Sequence, residues 1–370
     1  MRNLGILLLL AAGTASANLV GWNSLADLGR SADLVVVADP TGLSNAGTVL
    51  AVTMTVTRVL KGDAGLAGTS ISAVWTWQPG ILGASPDSEP APTGSGLWFF
   101  KSSPGGWQLL SVMQGGISFN QTFIAVPRGP IASAYSYAAT ASLNDKIASE
   151  VSAAIEGGNG AWTIDLHRGI LDQLGSPVLG VLYRRLAASR SGNRRILGLA
   201  GLIRQGSVDA LSTAMLAPAS LFASCPLETG VLMLSIRDDF RAADAPSIAV
   251  LGQAALDSRG AFREVTAFAL RSIHTVEALP YLAALMDDPD LKLRAEGIGG
   301  VSAFANGLPV QTPAGVPSLA YLQMPATAVY KTQETMANFA MGEAAVSRNE
   351  AKLLAFWKGW WTQNRAALGY

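Results

Sequence analysis

The hydrophobic period of this chain changes once, across Glu156-Gly157-Gly158-Asn159-Gly160. Before that glycine cluster, apolar residues come in short β-branched runs with a period of two. After it they recur at helical spacing in successive short blocks. One layer of structure cannot serve both periods, so the switch predicts a two-domain β plus all-α chain: a small N-terminal β-barrel or sandwich, then a C-terminal set of paired helices. The expected divisions are 1–17 as a signal peptide, 18–140 as the β-rich domain, 141–160 as a connecting helix with a glycine-rich linker, and 161–370 as the helical domain. A length of 370 residues fits two domains at roughly 150 residues each.

Within the β-rich part, Asp33 to Ala38 is a continuous apolar run. Val49 to Leu60 alternates Val52, Met54 and Val56 with Thr53, Thr55 and Thr57. Ile71 to Trp77, Leu97 to Lys101 and Trp107 to Met113 complete the expected strands. Lys61-Gly62-Asp63 and Ser103-Pro104-Gly105-Gly106 supply turns, the second joining two strands as a hairpin. Pro79 to Ser95 reads as a long loop. Ser142 to Ile155 then reads as an amphipathic helix with Ile147, Val151 and Ile155 on one face.

Past the glycine cluster, helical blocks are expected at Gly180 to Ala188, Asn193 to Arg204, Val208 to Met215, Thr229 to Arg237, Ala245 to Leu256, Ala261 to Ile273, Glu277 to Met286 and Leu291 to Ala305. In the clearest unit, Ala278 to Ile298, Leu279, Leu282 and Met286 share one helix face. Asp288-Pro289-Asp290 makes a turn and offers an N-cap, and Leu291, Ala295 and Ile298 form the inner stripe of the next helix. Arg263-Glu264-Val265 and Arg294-Ala295-Glu296 start alike, 31 residues apart. This unit resembles a HEAT repeat, and the resemblance implies a HEAT-like α-solenoid across the C-terminal half, an architecture whose extended surface engages other proteins.

A second resemblance lies in Ser31-Ala32-Asp33-Leu34-Val35-Val36-Val37 followed by Thr55-Val56-Thr57-Arg58-Val59-Leu60-Lys61-Gly62. It is similar to the opening strands of the OB-like barrels of exported bacterial proteins and of TIMP and netrin modules. TIMPs chelate a protease's zinc through an N-terminal cysteine. This region has no cysteine, so the resemblance extends to the barrel alone.

Arg2, the apolar run Ile6 to Ala12 and Ala15-Ser16-Ala17 have the form of a secretory signal cleaved before Asn18. The run is shorter than the roughly 20 residues of a membrane-spanning helix, so an exported product without a transmembrane segment is expected. Lys plus Arg equals Asp plus Glu at 26 each. That balance, with no aromatic-basic interleave, argues against a nucleic-acid partner. Charged residues make up only 14%, against about 25% in ordinary globular domains. The lone Cys225 excludes an internal disulfide and reads as a buried structural thiol.

No catalytic motif, cofactor fingerprint or metal-ligand spacing is found. His167 and His274 are isolated, and Asp287, Asp288 and Asp290 lack the calcium-loop pattern. The chain therefore reads as a non-enzymatic binding or scaffolding protein whose partner is another protein. The candidate contact residues are aromatic. Trp75 and Trp77 lie two apart on one strand, in the domain that also holds Trp22, Trp98 and Trp107. Phe356, Trp357, Trp360 and Trp361 lie on a terminal helix expected from Asn349 to Ala367. The strand tryptophans would serve either the core or a carbohydrate or cell-wall ligand. The helix aromatics would serve either as an end cap or as a partner groove. An unrecognised hydrolase with an interdomain site is the third reading.

Overall fold

The computed structural model describes residues 24–46, 49–76, 94–110, 123–126, 131–157, 171–240, 244–257, 260–307 and 343–370. It divides into two compact units, Met1–Leu182 and Tyr183–Tyr370. The first is a β-barrel with helices on its outside, and the second is helical.

The first unit begins with helix α1 (Leu25–Ser31), N-capped by Ser24. Strands β1 (Leu34–Ala46), β2 (Val49–Lys61), β3 (Ser70–Thr76), β4 (Gly96–Ser103), β5 (Gly106–Leu109) and β6 (Phe123–Ala125) follow. They form a sheet in the order β1-β2-β3-β5-β4-β6, and β4 also pairs with β1. That extra pairing, from Leu34 opposite Phe100 to Ala38 opposite Gly96, closes a five-stranded barrel. All pairings are antiparallel except β3 with β5, which run parallel at Ala73–Trp107 and Val74–Gln108.

The alternation expected in β2 is what fills the barrel. Val52, Met54 and Val56 point into a core shared with Leu34, Val36, Ala38, Ile71, Trp98, Phe100 and Leu109, while Thr53, Thr55 and Thr57 are only half-buried on the other face. The apolar run of β1 and the Leu97–Phe100 segment of β4 are buried on both faces, because helices pack on the outside of this part of the sheet. Strand β1 also continues past the expected end at Ala38, through Pro40 to Ala46. Register shifts at Val37/Ala38 and Pro40/Gly42 absorb the proline.

Helix α2 (Leu143–Glu156) is capped by Ser142 and buries Ile147, Val151 and Ile155, as the period predicts. It packs on β2. Glu150, on the same helix, has a fully buried side chain. Arg58 of β2 donates to it twice, Nε to Oε1 at 2.9 Å and Nη2 to Oε2 at 2.8 Å, and the Tyr137 hydroxyl donates to Oε1 at 2.8 Å. Burial, and then the neighbouring Glu150 carboxylate, push the Tyr137 phenol well above its ordinary value. Tyr137 therefore stays a neutral donor at neutral pH. Its contribution is complete below the unfolded pKa of about 10 and is lost only as pH rises from there toward the folded value. Three residues further along β2, the Lys61 ammonium donates to the carbonyls of Gly29 and Arg30 at the end of α1.

The second unit is built from hairpins. Helix α3 (Pro177–Ala187), whose residues before Tyr183 belong to the first unit, and α4 (Gly192–Arg204) make the first. After α5 (Val208–Leu216), α6 (Ala219–Ser224) and α7 (Pro226–Leu234) come α8 (Ala245–Leu256) with α9 (Arg263–Ile273), then α10 (Leu279–Leu285) with α11 (Leu291–Ala305), and finally α12 (Glu343–Asn364). The short α6 has no counterpart among the expected helical blocks. The Asp288-Pro289-Asp290 turn is as expected, with Asp290 capping α11 through the Lys292 amide.

Two hairpins share one close-packing geometry. Gly198 lies 15 positions after Tyr183, and Gly297 lies 15 after Leu282. A Cβ on Gly198 would stand 2.7 Å from Tyr183 O and 2.2 Å from Ala187 N; on Gly297 it would stand 2.6 Å from Leu282 O and 3.0 Å from Met286 N. Three residues later, Gly201 and Gly300 lie against the Tyr183 ring and the Leu282 methyls. Each second helix thus rests directly on the backbone of the first.

The last two hairpins are also linked by arginines 31 residues apart. Arg263 Nε donates to Ala255 O at 3.1 Å, and its guanidinium pairs with Asp288 in the next turn. Arg294 Nη1 donates to Asp288 O and Pro289 O at 2.8 and 2.7 Å, and its guanidinium pairs with Glu350 of α12. Arg271 of α9 reaches Glu296 of α11 at 2.9 Å, its side chain crossing Gly299.

Two outcomes follow for stability. Glu150→Ala or Arg58→Ala in a chemical denaturation series should each lower stability by about 3–5 kcal/mol, because either leaves a charge without its buried partner. The double variant should lose less than the sum. Gly297→Ala should destabilise by about 1–3 kcal/mol through enforced separation of the helices. Gly359→Ala, in α12 where a Cβ meets nothing within 4 Å, should stabilise by about 0.5–1 kcal/mol.

Candidate interaction surfaces

The aromatic candidates separate by position. Trp75 lies in β3 opposite Leu50 of β2, and its side chain falls outside the described residues, as do Trp77 and Trp22. Trp98 is wholly inside the barrel, where its indole Nε1 donates to Ala38 O at 3.1 Å. Trp107 packs half-buried on the same core, 6.4 Å from the Phe100 ring. Neither Trp98 nor Trp107 presents a ring face as part of an outward platform.

On α12, Leu353 and Trp357 recur at i and i+4 with no exposed surface, and the helix packs on α11. Phe356 stands edge-on to Trp357 at 4.9 Å; Trp357 to Trp360 is 6.3 Å, and Phe304 of α11 meets Trp360 at 6.5 Å. Trp361 lies 5.8 Å from Tyr370, whose hydroxyl donates to Val276 O at 3.3 Å. Phe356, Trp360 and Trp361 are half-buried. The stripe therefore works chiefly inward, covering the outer side of the hairpin formed by α10 and α11.

Beside it lies an open cleft of about 350 Å³, lined by Met286, Asp287, Arg294, Glu350, Leu354 and Lys358. Its charges answer one another: Arg294 pairs with Glu350, and Lys358 with Asp287. The Glu350 hydrogen bond raises the Arg294 pKa above its ordinary value. A cleft so compensated offers packing area more than a charge for a ligand to meet.

His167 falls outside the described residues. His274 terminates α9 in the left-handed conformation, φ 54°, directly after the helical block expected from Ala261 to Ile273. Cys225 is half-buried rather than buried, at the N-cap of α7 with its sulfur near Gly192. Among the described residues, no three His, Cys, Asp or Glu side chains gather in a group able to hold a metal ion. No described helix is long and apolar enough to cross a membrane.

One surface escapes a reading based on whole-chain charge. Arg184, Arg185, Arg190, Arg194 and Arg195 fall within twelve residues around the turn between α3 and α4, and the first three are exposed. A sliding charge window would have found them.

A scan against protein-family models gives no match, and neither the curated proteins nor the solved structures give a significant one.

Truncating the buried anchor of α12 tests its role. Trp357→Ala should cost about 3–5 kcal/mol in thermal or denaturant unfolding, whereas Lys358→Ala, which removes an exposed pair, should cost under about 1 kcal/mol.

Proposed function

We propose that this chain is an exported, non-enzymatic binding protein in which a HEAT-like α-solenoid engages another protein and an OB-like barrel precedes it. The observation that carries the reading is the recurrence of one hairpin geometry, Tyr183 with Gly198 and Gly201, then Leu282 with Gly297 and Gly300. A recurring unit of this kind stacks its helices in register and leaves a long surface free for a partner. The arginines at 263 and 294 support it, since each ties its own hairpin to the next element along the chain. For the barrel, the circuit β1-β2-β3-β5-β4-β1 with its parallel β3–β5 contact agrees with the Greek-key order of OB-folds. Export rests on the residues before Asn18.

Expression of the full chain in a bacterial host, followed by fractionation and N-terminal sequencing, should recover protein outside the cytoplasm beginning at Asn18. The purified mature protein should retain a partner from the envelope fraction that then binds in a direct titration. Charge reversal at the exposed Glu264 and Lys292, which bridge successive second helices, should weaken that binding. Cytoplasmic protein with Met1 intact would end the export reading. A mature protein that titrates no envelope protein would end the binding one.

A further inference from the structure

Between Asp172 and Glu228 the chain carries six arginines, no lysine and a single carboxylate, Asp209. Five of the arginines sit at one end of the first hairpin: Arg184 and Arg185 in the last turn of α3, Arg190 in the connection, and Arg194 and Arg195 in the first turn of α4. Helix α5 packs on α4 and follows it through a short turn, bringing the chain back to that same end. There α6 and the start of α7 meet the first residue of α4: a Cβ on Gly192 would lie 3.0 Å from Leu221 Cδ1 and 3.2 Å from Cys225 Sγ. From Ala210 to Leu227 no residue is charged. Leu216 is nevertheless 86% exposed and Leu227 56% exposed.

A cluster of arginines and a pair of protruding leucines thus occupy one end of the helical unit. Each feature taken singly is weak, but together they specify a chemistry. The two exposed leucines offer apolar side chains that an acyl boundary can receive, and guanidinium groups pair in a planar fork with phosphate oxygens. A nucleic acid would use the arginines and leave the leucines in water. An anionic phospholipid surface offers phosphates and an acyl boundary within about 5–10 Å of each other, and so uses both. We propose that this end of the helical unit docks on an anionic phospholipid bilayer, with Arg184, Arg185 and Arg190 on the headgroup phosphates and Leu216 and Leu227 entering the acyl boundary. Five arginines in twelve residues with no acid among them give this stretch a local positive excess that favours approach by this end.

The test is co-sedimentation with vesicles of equal parts phosphatidylglycerol and phosphatidylcholine, and of phosphatidylcholine alone. It uses both the full chain and the chain from Asn18, so that the apolar run Ile6 to Ala12 cannot account for the result. Both forms should sediment with the anionic vesicles, be released by added salt, and stay in solution with phosphatidylcholine. The triple variant Arg184→Gln, Arg185→Gln, Arg190→Gln should bind on the order of 100-fold more weakly. Leu216→Ser with Leu227→Ser should bind about tenfold more weakly while melting as the parent does. Four results would overturn the proposal: binding by the full chain alone, equal binding to both vesicles, leucine substitutions without effect, or release of the protein from anionic vesicles by duplex DNA bound in their place. Salt release of the parent protein reads the electrostatic part even if the triple variant folds poorly.

Discussion

Glu150 has no exposed side-chain surface, and a carboxylate in that position is tolerable only because three donor groups converge on it. Removing an ion from water costs several kcal/mol even after the protein relaxes. The geometry that offsets this cost leaves little freedom: Arg58 must present both Nε and Nη2 from β2, and Tyr137 must bring its hydroxyl alongside. Meeting those conditions fixes the seating of α2 on the barrel. The cation at the end of the same strand, Lys61, fixes the C-terminus of α1. One strand therefore supplies the inner lining of the barrel through Val52, Met54 and Val56, and ties down both outer helices through its two cations. The apolar core closes the barrel, and the buried ion pair orients what covers it.

The helical unit solves a different problem. Helices that must stack in succession need a reproducible separation, and glycine supplies it by removing the side chain that would set the distance. At Gly198 and Gly297 the second helix meets main-chain atoms of the first, an arrangement that recurs 99 residues on. The arginines act both within a hairpin and between neighbours. Arg263 satisfies the Ala255 carbonyl at the end of α8, Arg294 satisfies two carbonyls of the turn after α10, and each then pairs with a carboxylate further along the chain. Spacing within a hairpin and attachment to the next element are thus assigned to different residue types.

Periodicity made the local elements legible. The Val52-Met54-Val56 alternation, the Ser142 cap with its Ile147, Val151 and Ile155 stripe, and the Asp288-Pro289-Asp290 turn all depend on neighbours close in sequence. What was not legible depends on partners far along the chain. Glu150 sits one residue before Val151 and looks in sequence like a solvent-facing acid; Arg58, 92 positions earlier, and Tyr137 explain its burial. Strand β1 runs through Pro40 because β2 tolerates the register shifts, which no pattern around Pro40 announces. Among the terminal aromatics, the spacing of Phe356, Trp357, Trp360 and Trp361 gave a stripe without saying which ring is enclosed; Trp357 is, since it lies in line with Leu353.

Scarcity makes each charge in this protein informative. With 14% charged residues, many of those described hold one element to another: Arg58 with Glu150, Arg263 with Asp288, Arg271 with Glu296, Arg294 with Glu350. In each of these pairs the cation lies within reach of an acid on a neighbouring element, so the charge is spent on the fold. The hairpin from Arg184 to Arg195 differs in density, since its five arginines are packed into twelve residues that contain no acid. Whole-chain neutrality concealed this, because a sum of charges carries no position, whereas electrostatic attraction at physiological salt acts over about 8 Å. At that range a local excess, more than the whole-chain sum, is what an approaching surface meets.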